Sequence, residues 1–428
     1  MTPRITWFGA GLLILLATVA STFLVLSGWF DGRSAAPAKL SYEELTGSLF
    51  SPALREPFRA PRVRELRVPM FENATSIWGS TGRDFRGHIW IGVSARSGGM
   101  SAHLMEYDPD ADRWHDRGAV TDKLKELSLF SDGEGQNKIH SRIVPANDGW
   151  LYFASTDEEG ERADTEALPR WGGHLWRIHP ENYRWQHLFA VREGLVAASG
   201  AGQYVYALGY WGHVLYQYDT RSGHAHRVVV GSAGGHVSRN FLTDIRGHAY
   251  VPRLSAVEGK VSVALVEYDA GLNEIAATPL EHYLGGGSVE ANHGIIGLAY
   301  LSDGRMLFTT HVGYLYLIEP REEGPAKVTA VGWFHPDGSA YTASLFSFGG
   351  GNIVGGVSNS HAGFDWVLFN LTSGLSKAFP LDTKDLKKVL LYGSVTRDNG
   401  GRVYVVGWAE METRHEQRPL VLQIDPGG

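Results

Sequence analysis

Short runs of aromatic and β-branched residues recur along this chain, and each is opened by a turn glycine. A run such as His-Ile-Trp-Ile at 88–91 follows the glycine directly, and a second run then ends in Tyr-Asp or a near variant. Segments of this composition are typical of β-strands, because branched and aromatic side chains pack well on a pleated surface. The seven turn glycines are Gly87, Gly149, Gly202, Gly247, Gly304, Gly351 and Gly401.

The spacing of these repeats predicts the fold class. Successive units are roughly 45 to 60 residues apart, the length of a four-stranded antiparallel blade with its loops. The sequence therefore predicts an all-β chain with a seven-bladed β-propeller over residues 62–428. The seventh repeat supplies only three clear strands, so we expect residues 62–69 to complete it and remove a free sheet edge. Helical turns are expected only at residues 42–49 and 121–127.

The N-terminal segment has a different composition. Residues 5–30 carry no charge, and at about 1.5 Å per residue they are long enough to cross a bilayer as a transmembrane helix. We expect residues 1–33 to be a signal-anchor in the membrane and the proline-containing residues 34–61 to be a tether. The small residues at 35–38 leave a cleaved signal peptide as the alternative. In both cases the propeller is expected on the extracytoplasmic, periplasmic side.

Composition argues against several classes of function. The formal net charge is -7, the pI is about 6.2 and no long run of Lys or Arg is present, which counts against nucleic-acid binding. Without cysteine the chain has no disulfide, cysteine nucleophile or thiolate metal site. Walker, zinc-protease and nucleophile-elbow motifs are absent from the sequence. The glycine-rich residues 285–287 and 349–351 precede no helical pattern and are expected to be turns.

Candidate functional residues concentrate on one face of the predicted propeller. The loops between blades, and those joining second to third strands, open on one face, and the glycine turns lie on the other. On the glycine-turn face, His88 and His248 occupy equivalent positions and are expected to be structural. Strand alternation turns Lys138, His140 and Arg142 toward the central channel. The opposite face collects these three residues and Arg170, Trp171, His174, Tyr210, Trp211, His213, His236, Arg239, Asn240, Arg253, His293, His311, Tyr341 and His361.

Each of these residues also has a structural interpretation. A histidine in a channel wall is more commonly a hydrogen-bonded wall residue than a ligand. Trp171 and Trp211 could wedge neighbouring blades, and Arg239 could pair with a carboxylate such as Glu290. The acidic insertion at residues 157–166 is expected to be a solvated loop. The convergence of histidines, arginines and aromatic residues on one face nevertheless favours a ligand site.

With seven units and a funnel rich in His and Arg, residues 62–427 resemble the β-propeller polysaccharide lyases of the oligogalacturonate and ulvan type, and more distantly the streptogramin lyases. The resemblance implies β-elimination on a uronate, whose carboxylate is neutralised by Arg or a divalent metal. It implies a base role for His140, an acid role for Tyr210 and carboxylate neutralisation by Arg239. His293 and His311 are the candidate metal ligands. Lys138, Arg142, Trp171, His174, Trp211, His213, Asn240 and Arg253 are the candidate ligand-binding residues.

Two functions from different classes therefore stay open. The first is a membrane-anchored, non-catalytic propeller that binds a glycan or an envelope protein at its central funnel. The alternative is a polysaccharide lyase that cleaves uronate-containing glycans by β-elimination, and other enzymes, such as a hydrolase of small lactones, are a third option. An enzyme should lose its activity on removal of one side chain, whereas a scaffold should tolerate the loss of any single histidine.

Overall fold

The strands of the chain are arranged in seven antiparallel sheets. The computed structural model describes residues 58–427 except 97, 350, 384–385 and 412–415. These residues form an all-β seven-bladed propeller with one short helix, so the structure confirms the predicted fold of this part. The expected anchor at residues 1–33, the expected helical turn at 42–49 and most of the tether lie outside them. Over the described residues, no helix combines the length and the apolar character that a membrane span requires.

Blade one begins the ring and differs slightly from the others. Its sheet has five strands, because both of its first two strands pair with the third. The elements up to the end of this blade are β1 (Arg62–Leu66), β2 (Ala74–Ser76), β3 (Thr81–Arg83), β4 (Ile89–Ala95), β5 (His103–Asp108), β6 (Arg113–Ala119) and α1 (Val120–Glu126).

Blades two to four are four-stranded antiparallel sheets whose strands follow one another in sequence order. Blade two contains β7 (Val144–Pro145), β8 (Leu151–Thr156), β9 (Gly173–Ile178) and β10 (Trp185–Val191). Blade three contains β11 (Gly194–Ala201), β12 (Tyr204–Tyr210), β13 (Val214–Asp219) and β14 (Ala225–Val229). Blade four contains β15 (Leu242–Thr243), β16 (Ala249–Val257), β17 (Lys260–Tyr268) and β18 (Glu274–Pro279).

Blades five to seven repeat this pattern and bring the chain back to blade one. Blade five contains β19 (Leu298–Tyr300), β20 (Met306–Thr309), β21 (Tyr314–Glu319) and β22 (Lys327–Trp333). Blade six contains β23 (Thr342–Ser347), β24 (Ile353–Ser360), β25 (Gly363–Asn370) and β26 (Ser376–Pro380). Blade seven contains β27 (Lys387–Arg397), β28 (Val403–Glu410) and β29 (Gln417–Asp425).

The N-terminal strand β1 completes blade seven. It pairs antiparallel with β29 over its whole length, in a register that joins Arg62 to Asp425 and Leu66 to Val421. The structure thus shows the ring closure that the sequence predicts, in which an N-terminal strand completes the seventh repeat. Closure gives β29 a partner on its outer side and removes the free edge that it would otherwise expose.

The first strand of each blade lies nearest to the central channel. Neighbouring first strands contact one another around the ring, for example β23 with β27 and β27 with β3. Hydrophobic side chains fill the space between blades, as where Ile89 and Ile91 of blade one pack in the same cluster as Val406 and Val421 of blade seven. The rigid sheets therefore fix the positions at which the first strands begin, and these positions surround the channel.

The glycine turns on the opposite face are held by a repeated hydrogen-bond pattern. The Asp84 carboxylate accepts the backbone N–H groups of Arg86 and His88 at 2.9 and 3.0 Å, and Asp244 repeats this pattern in blade four. His88 pairs through Nδ1 with a Glu106 oxygen 2.6 Å away. His248 forms the equivalent contact in blade four, so both histidines are structural parts of their turns.

Candidate functional site

Two adjoining cavities lie where the first strands of the blades begin. Cavity one has a volume of about 270 Å³ and cavity two about 260 Å³. Both are lined by Trp78, His140 and Arg239, so they form one continuous site at the funnel. Cavity one also includes Lys138, Glu158, Glu161, Tyr210, Trp211 and Glu290. Cavity two is completed chiefly by Asn240, His293, Tyr341 and Tyr392.

Arg239 stands at the junction of the two cavities. Its backbone N–H donates to the carbonyl of His293 at 2.9 Å, which ties the start of blade four to the start of blade five. The guanidinium makes no hydrogen bond or ion pair with any residue of the described chain, although Glu290 lines the same cavity. A half-buried guanidinium in this position offers its donors to a ligand, because five N–H groups would otherwise stay unpaired.

His140 presents one ring nitrogen to the cavities. Its Nδ1 lies 2.8 Å from the carbonyl oxygen of Val196 and must donate to it, so Nε2 carries a lone pair. Burial lowers the pKa of His140 well below its ordinary value, and the charges of Arg239 and Lys138 act in the same direction. The imidazole is therefore neutral at physiological pH and can accept a hydrogen bond or a proton.

His293, His311 and Tyr341 form a ring cluster beside Arg239. The backbone N–H of His293 donates to His311 Nδ1 at 3.1 Å, so in the neutral ring the proton of His311 is on Nε2. His293 Nδ1 lies 3.1 Å from the hydroxyl of Tyr341. Burial lowers the pKa of His293 to about 3, and the Arg239 charge adds to this effect. In this arrangement neither His311 nitrogen offers a lone pair to a metal, so a metal at His293 and His311 stays a prediction from the sequence.

Trp78 connects the two cavities and was not singled out by the sequence. Its ring lies 4.1 Å from Lys138 Nζ on one side and 4.7 Å from the Tyr392 ring on another. Gly79 has φ +91°, and a Cβ there would lie 2.6 Å from the carbonyl oxygen of Gly393. Only glycine lets the chain after Trp78 approach blade seven this closely. The indole is thereby placed in the wall of the funnel.

The acidic insertion differs from the expected solvated loop. Glu158, Glu161 and Ala163 line cavity one, and Glu158 pairs with the ammonium group of Lys138. Burial lowers the pKa of Lys138, although the Glu158 carboxylate favours its charged form. The insertion therefore forms part of the cavity wall, because its carboxylates pair with Lys138, which precedes β7, and with Tyr210 at the end of β12.

Glu161 and Tyr210 form a buried, hydrogen-bonded pair in cavity one. The Tyr210 hydroxyl donates to the Glu161 carboxyl group, and burial raises the pKa of Tyr210 well above its ordinary value. Burial also raises the pKa of Glu161 to about 7, with the Glu158 charge adding to the shift. Tyr210 is thus protonated near neutral pH, and Glu161 changes its charge in this range.

Several other predicted site residues lie outside the two cavities. Arg253 forms a bidentate ion pair with Glu274 at 2.8 and 2.9 Å, and both ring nitrogens of His213 bond to backbone groups of Pro252 and Ser238. Three further ligand-binding candidates also have partners outside the cavities. Arg142 lies against the Tyr300 ring, Trp171 lies against Arg170, and His174 lies between Glu134 and His187.

Trp211 and Asn240 are the ligand-binding candidates, besides Lys138, that do line the cavities. Trp211 donates from Nε1 to the carbonyl of Ala167 at 2.9 Å, so the residue that directly follows the insertion holds the indole ring in cavity one. The Asn240 amide donates to the Ile296 carbonyl at 2.9 Å and closes one wall of cavity two. The structure therefore brings together Lys138, His140, Tyr210, Trp211, Arg239, Asn240 and His293.

A group that could hold a metal lies on the opposite face of the described propeller. Asp84, His88 and Glu106 offer ligand atoms within 4.8 Å of one another. The Arg86 guanidinium, however, contacts Asp84 at 2.6 Å and Glu106 at 2.8 Å. Because Arg86 and Arg117 together pair with these two carboxylates, the group is better explained as the structural core of a glycine turn.

Comparisons with known proteins relate the chain to other β-propellers only by architecture. No family model and no curated protein matches the sequence. One similar solved structure is the extracellular domain of a protein assigned to the hybrid two-component systems of B. thetaiotaomicron, with 13% identity and a TM-score of 0.49 over 86% of this chain and 40% of that chain. No function is inferred from this likeness.

Two further solved structures are similar at the same level. YCF48, solved with a bound D1 peptide, has 13% identity and a TM-score of 0.46, over 87% of this chain and 97% of that chain. The β-propeller domain of Cps50 (Swd1) from Myceliophteria thermophila has 11% identity and a TM-score of 0.48, over 84% and 99% of the two chains.

Proposed function

We propose that the funnel binds an acidic carbohydrate and that Arg239 holds the carboxylate of a uronate unit. The observation that carries this proposal is the Arg239 guanidinium, which lines both cavities and has no partner among the described residues. A partly desolvated guanidinium gains most from a carboxylate, because the two planar groups form paired, charge-assisted hydrogen bonds. A uronate carries that carboxylate directly on the sugar ring.

Aromatic rings and neutral hydrogen-bonding groups support a sugar as the ligand. Trp78, Tyr341 and Tyr392 surround the guanidinium in cavity two, and Trp211 continues this surface into cavity one. Sugar rings have apolar faces that stack on such side chains, while His140 and Asn240 can bond hydroxyl groups. An envelope protein presenting an acidic side chain is the other ligand that this site could accept.

The location of the protein is part of the same proposal. A propeller anchored by residues 1–33 on the extracytoplasmic side of a membrane would meet glycans of the cell envelope or of the surroundings. The uncharged residues 5–30 support this location.

A binding measurement with a single sugar unit tests this proposal. We expect the methyl glycoside of a uronic acid to bind and its methyl ester to bind much more weakly in an NMR titration. Arg239→Ala should lower the affinity for the acid by about 10- to 100-fold, the equivalent of losing a hydrogen bond to a charged group. The matched control is Arg253→Ala, which removes an arginine of the same blade that pairs with Glu274 outside the cavities. Equal affinity of Arg239→Ala and the unaltered protein would refute the proposal.

Catalysis by β-elimination is the second candidate function, and one observation favours it. His140 has an unprotonated Nε2 in the same two cavities as Arg239. In such a reaction Nε2 would take the proton from C5 while Arg239 stabilises the charge that builds on the carboxylate. The C4–O4 bond then breaks, a double bond forms between C4 and C5, and the leaving oxygen takes a proton from the acid of the site.

The lyase hypothesis predicts an unsaturated product. Ultraviolet absorbance of the new double bond would detect turnover of a uronate-containing oligosaccharide, and His140→Ala should reduce the rate by about 10² to 10⁴. A binding protein would instead give no product, and His140→Ala would change its affinity only modestly. Turnover that persists unchanged in His140→Ala would rule out this residue as the base.

A further inference from the structure

A third cavity extends the funnel toward blades five and six. Cavity three has a volume of about 280 Å³, and Tyr341 lines both it and cavity two. The three cavities therefore follow one another, from Trp211 in cavity one, past Arg239, to His361 at the far end. A site of this form fits several consecutive units of a chain-like ligand better than one compact molecule.

The middle of this row is positively charged. Arg239 is the one charged side chain among the described residues that line cavity two. His140 and His293 lie beside it, but burial and the Arg239 charge lower the pKa values of both, so both rings are neutral. Cavity two thus favours a carboxylate, because none of its described residues carries a negative charge that would repel one or pair with Arg239.

Cavity one, on one side of Arg239, carries an excess of carboxylates. Glu158 is paired with Lys138, but Glu161 and Glu290 line the cavity without an ion pair to any described residue. Among the described residues, the Glu161 carboxyl group bonds the Tyr210 hydroxyl alone, and this hydroxyl has no charge to offset it. A second anionic unit placed here would meet like charges, and the cost is largest where the site excludes water.

Cavity three, on the other side, also carries a carboxylate without a cation. Asp337 lines it with 81% of its side chain exposed, and the described residues of this lining include no Lys or Arg. His335 Nε2 lies 3.1 Å from Asp365, and its Nδ1 accepts the backbone N–H of Asp337, so it offers no positive charge in this tautomer. The polar lining also includes the Ser339 hydroxyl and the Asn359 amide, which suit sugar hydroxyls.

We infer that the ligand is an oligosaccharide in which one uronate unit is flanked on both sides by neutral sugar units. The uronate occupies cavity two against Arg239, and the neutral units occupy cavities one and three, where a carboxylate would be repelled. This inference rests on the proposed function and adds the order of charges along the ligand. It separates the protein from binders of uronate homopolymers, in which every unit is charged.

The test compares three ligands at pH 8 and low salt, where carboxyl groups are ionised and histidine side chains are ordinarily neutral. They are a neutral–uronate–neutral trisaccharide, a trisaccharide of three uronates, and the single uronate glycoside, measured by isothermal titration calorimetry or NMR. We expect the mixed trisaccharide to bind at least about tenfold more tightly than the homotrimer. The difference should shrink in high salt, because screening weakens the repulsion.

Two surface variants assign this preference to particular carboxylates. Glu290→Gln and Asp337→Asn should each raise the affinity for the homotrimer severalfold, and by more than they change the affinity for the single uronate. Glu323→Gln, an exposed carboxylate between β21 and β22, is the matched control and should change neither.

Different results overturn the inference and the proposed function. A homotrimer that binds as tightly as the mixed trisaccharide, or variants that leave its affinity unchanged, would overturn the inference alone if single-uronate binding still depends on Arg239. Loss of that dependence on Arg239 would instead overturn the proposed function.

Discussion

Arg239 and Arg253 show how strongly the surroundings of one residue type decide its use. Both belong to blade four or its approach, but Arg253 is neutralised by Glu274, whereas Arg239 faces the cavities without a described partner. His140 and His213 differ in the same way. Both ring nitrogens of His213 bond to backbone groups, whereas only Nδ1 of His140 does so among the described residues. The sequence placed all four on the functional face. It could not separate them, because their partners are remote in sequence.

Glu161 gives a pH dependence that can be measured. Burial and Glu158 raise its pKa from 4.5 to about 7, against the opposite effects of Tyr210, Lys138 and Arg239. Because the folded-state pKa is raised, the stability from protonated Glu161 is present below pH 4.5 and is lost as the pH rises through about 7.

Glu161→Gln should remove this dependence, since the amide can still accept the Tyr210 hydrogen bond but does not titrate. Thermal or urea unfolding of both proteins between pH 4.5 and 8 measures the effect. The unaltered protein should lose stability relative to the variant by about 1.4 kcal/mol per unit of pKa shift, less whatever solvent screening removes. Parallel stability curves over this range would show that Glu161 titrates normally.

At the scale of elements, the propeller could be predicted because its signals are local. Each glycine turn lies next to the strand that it opens, and the repeat shows in adjacent residues. The site is harder to predict, because it is built from the short segments that precede first strands. Trp78 and Tyr392 flank the closure of the ring and look like core aromatics in the sequence. Glu158 and Glu161 look like solvated residues, because their partners Lys138 and Tyr210 are 20 and 49 residues away in sequence.

Strand β1 is the element whose removal should affect the whole ring. Its pairing with β29 and the packing of Leu66 among residues of blades one and seven close the propeller. Deleting residues 1–70 should therefore reduce solubility and broaden the unfolding transition, whereas deleting residues 1–40 should leave both unchanged. Differential scanning calorimetry of the two truncated proteins makes the comparison, and identical melting behaviour would mean that β1 does not stabilise the ring.

At the scale of the whole molecule, ring closure places residues far apart in sequence around one funnel. Six blades contribute through Trp78, His140, Arg239, His293, Tyr341 and Tyr392, and blade three adds Tyr210 and Trp211. Seven repeats predict a ring, but they do not say which side chains reach its centre. That depends on close approaches such as Gly79 to Gly393, which are properties of the closed structure.

The predicted anchor concerns the chain as a whole. Residues 5–30 are uncharged and should hold the full-length protein in the membrane. After cell fractionation and carbonate washing, the protein should stay in the membrane pellet, and a protein lacking residues 1–33 should be released. Recovery of a soluble form that begins near Lys39 would show instead that the segment is a cleaved signal peptide.

A crystal structure of the propeller with a bound uronate-containing oligosaccharide would show directly whether Arg239 holds a carboxylate. We predict that one carboxylate lies within hydrogen-bond distance of the Arg239 guanidinium in cavity two, beside Trp78 and Tyr341. Neutral sugar units should then extend into cavities one and three. A ligand bound elsewhere on the propeller, or one whose carboxylate points away from Arg239, would contradict the account.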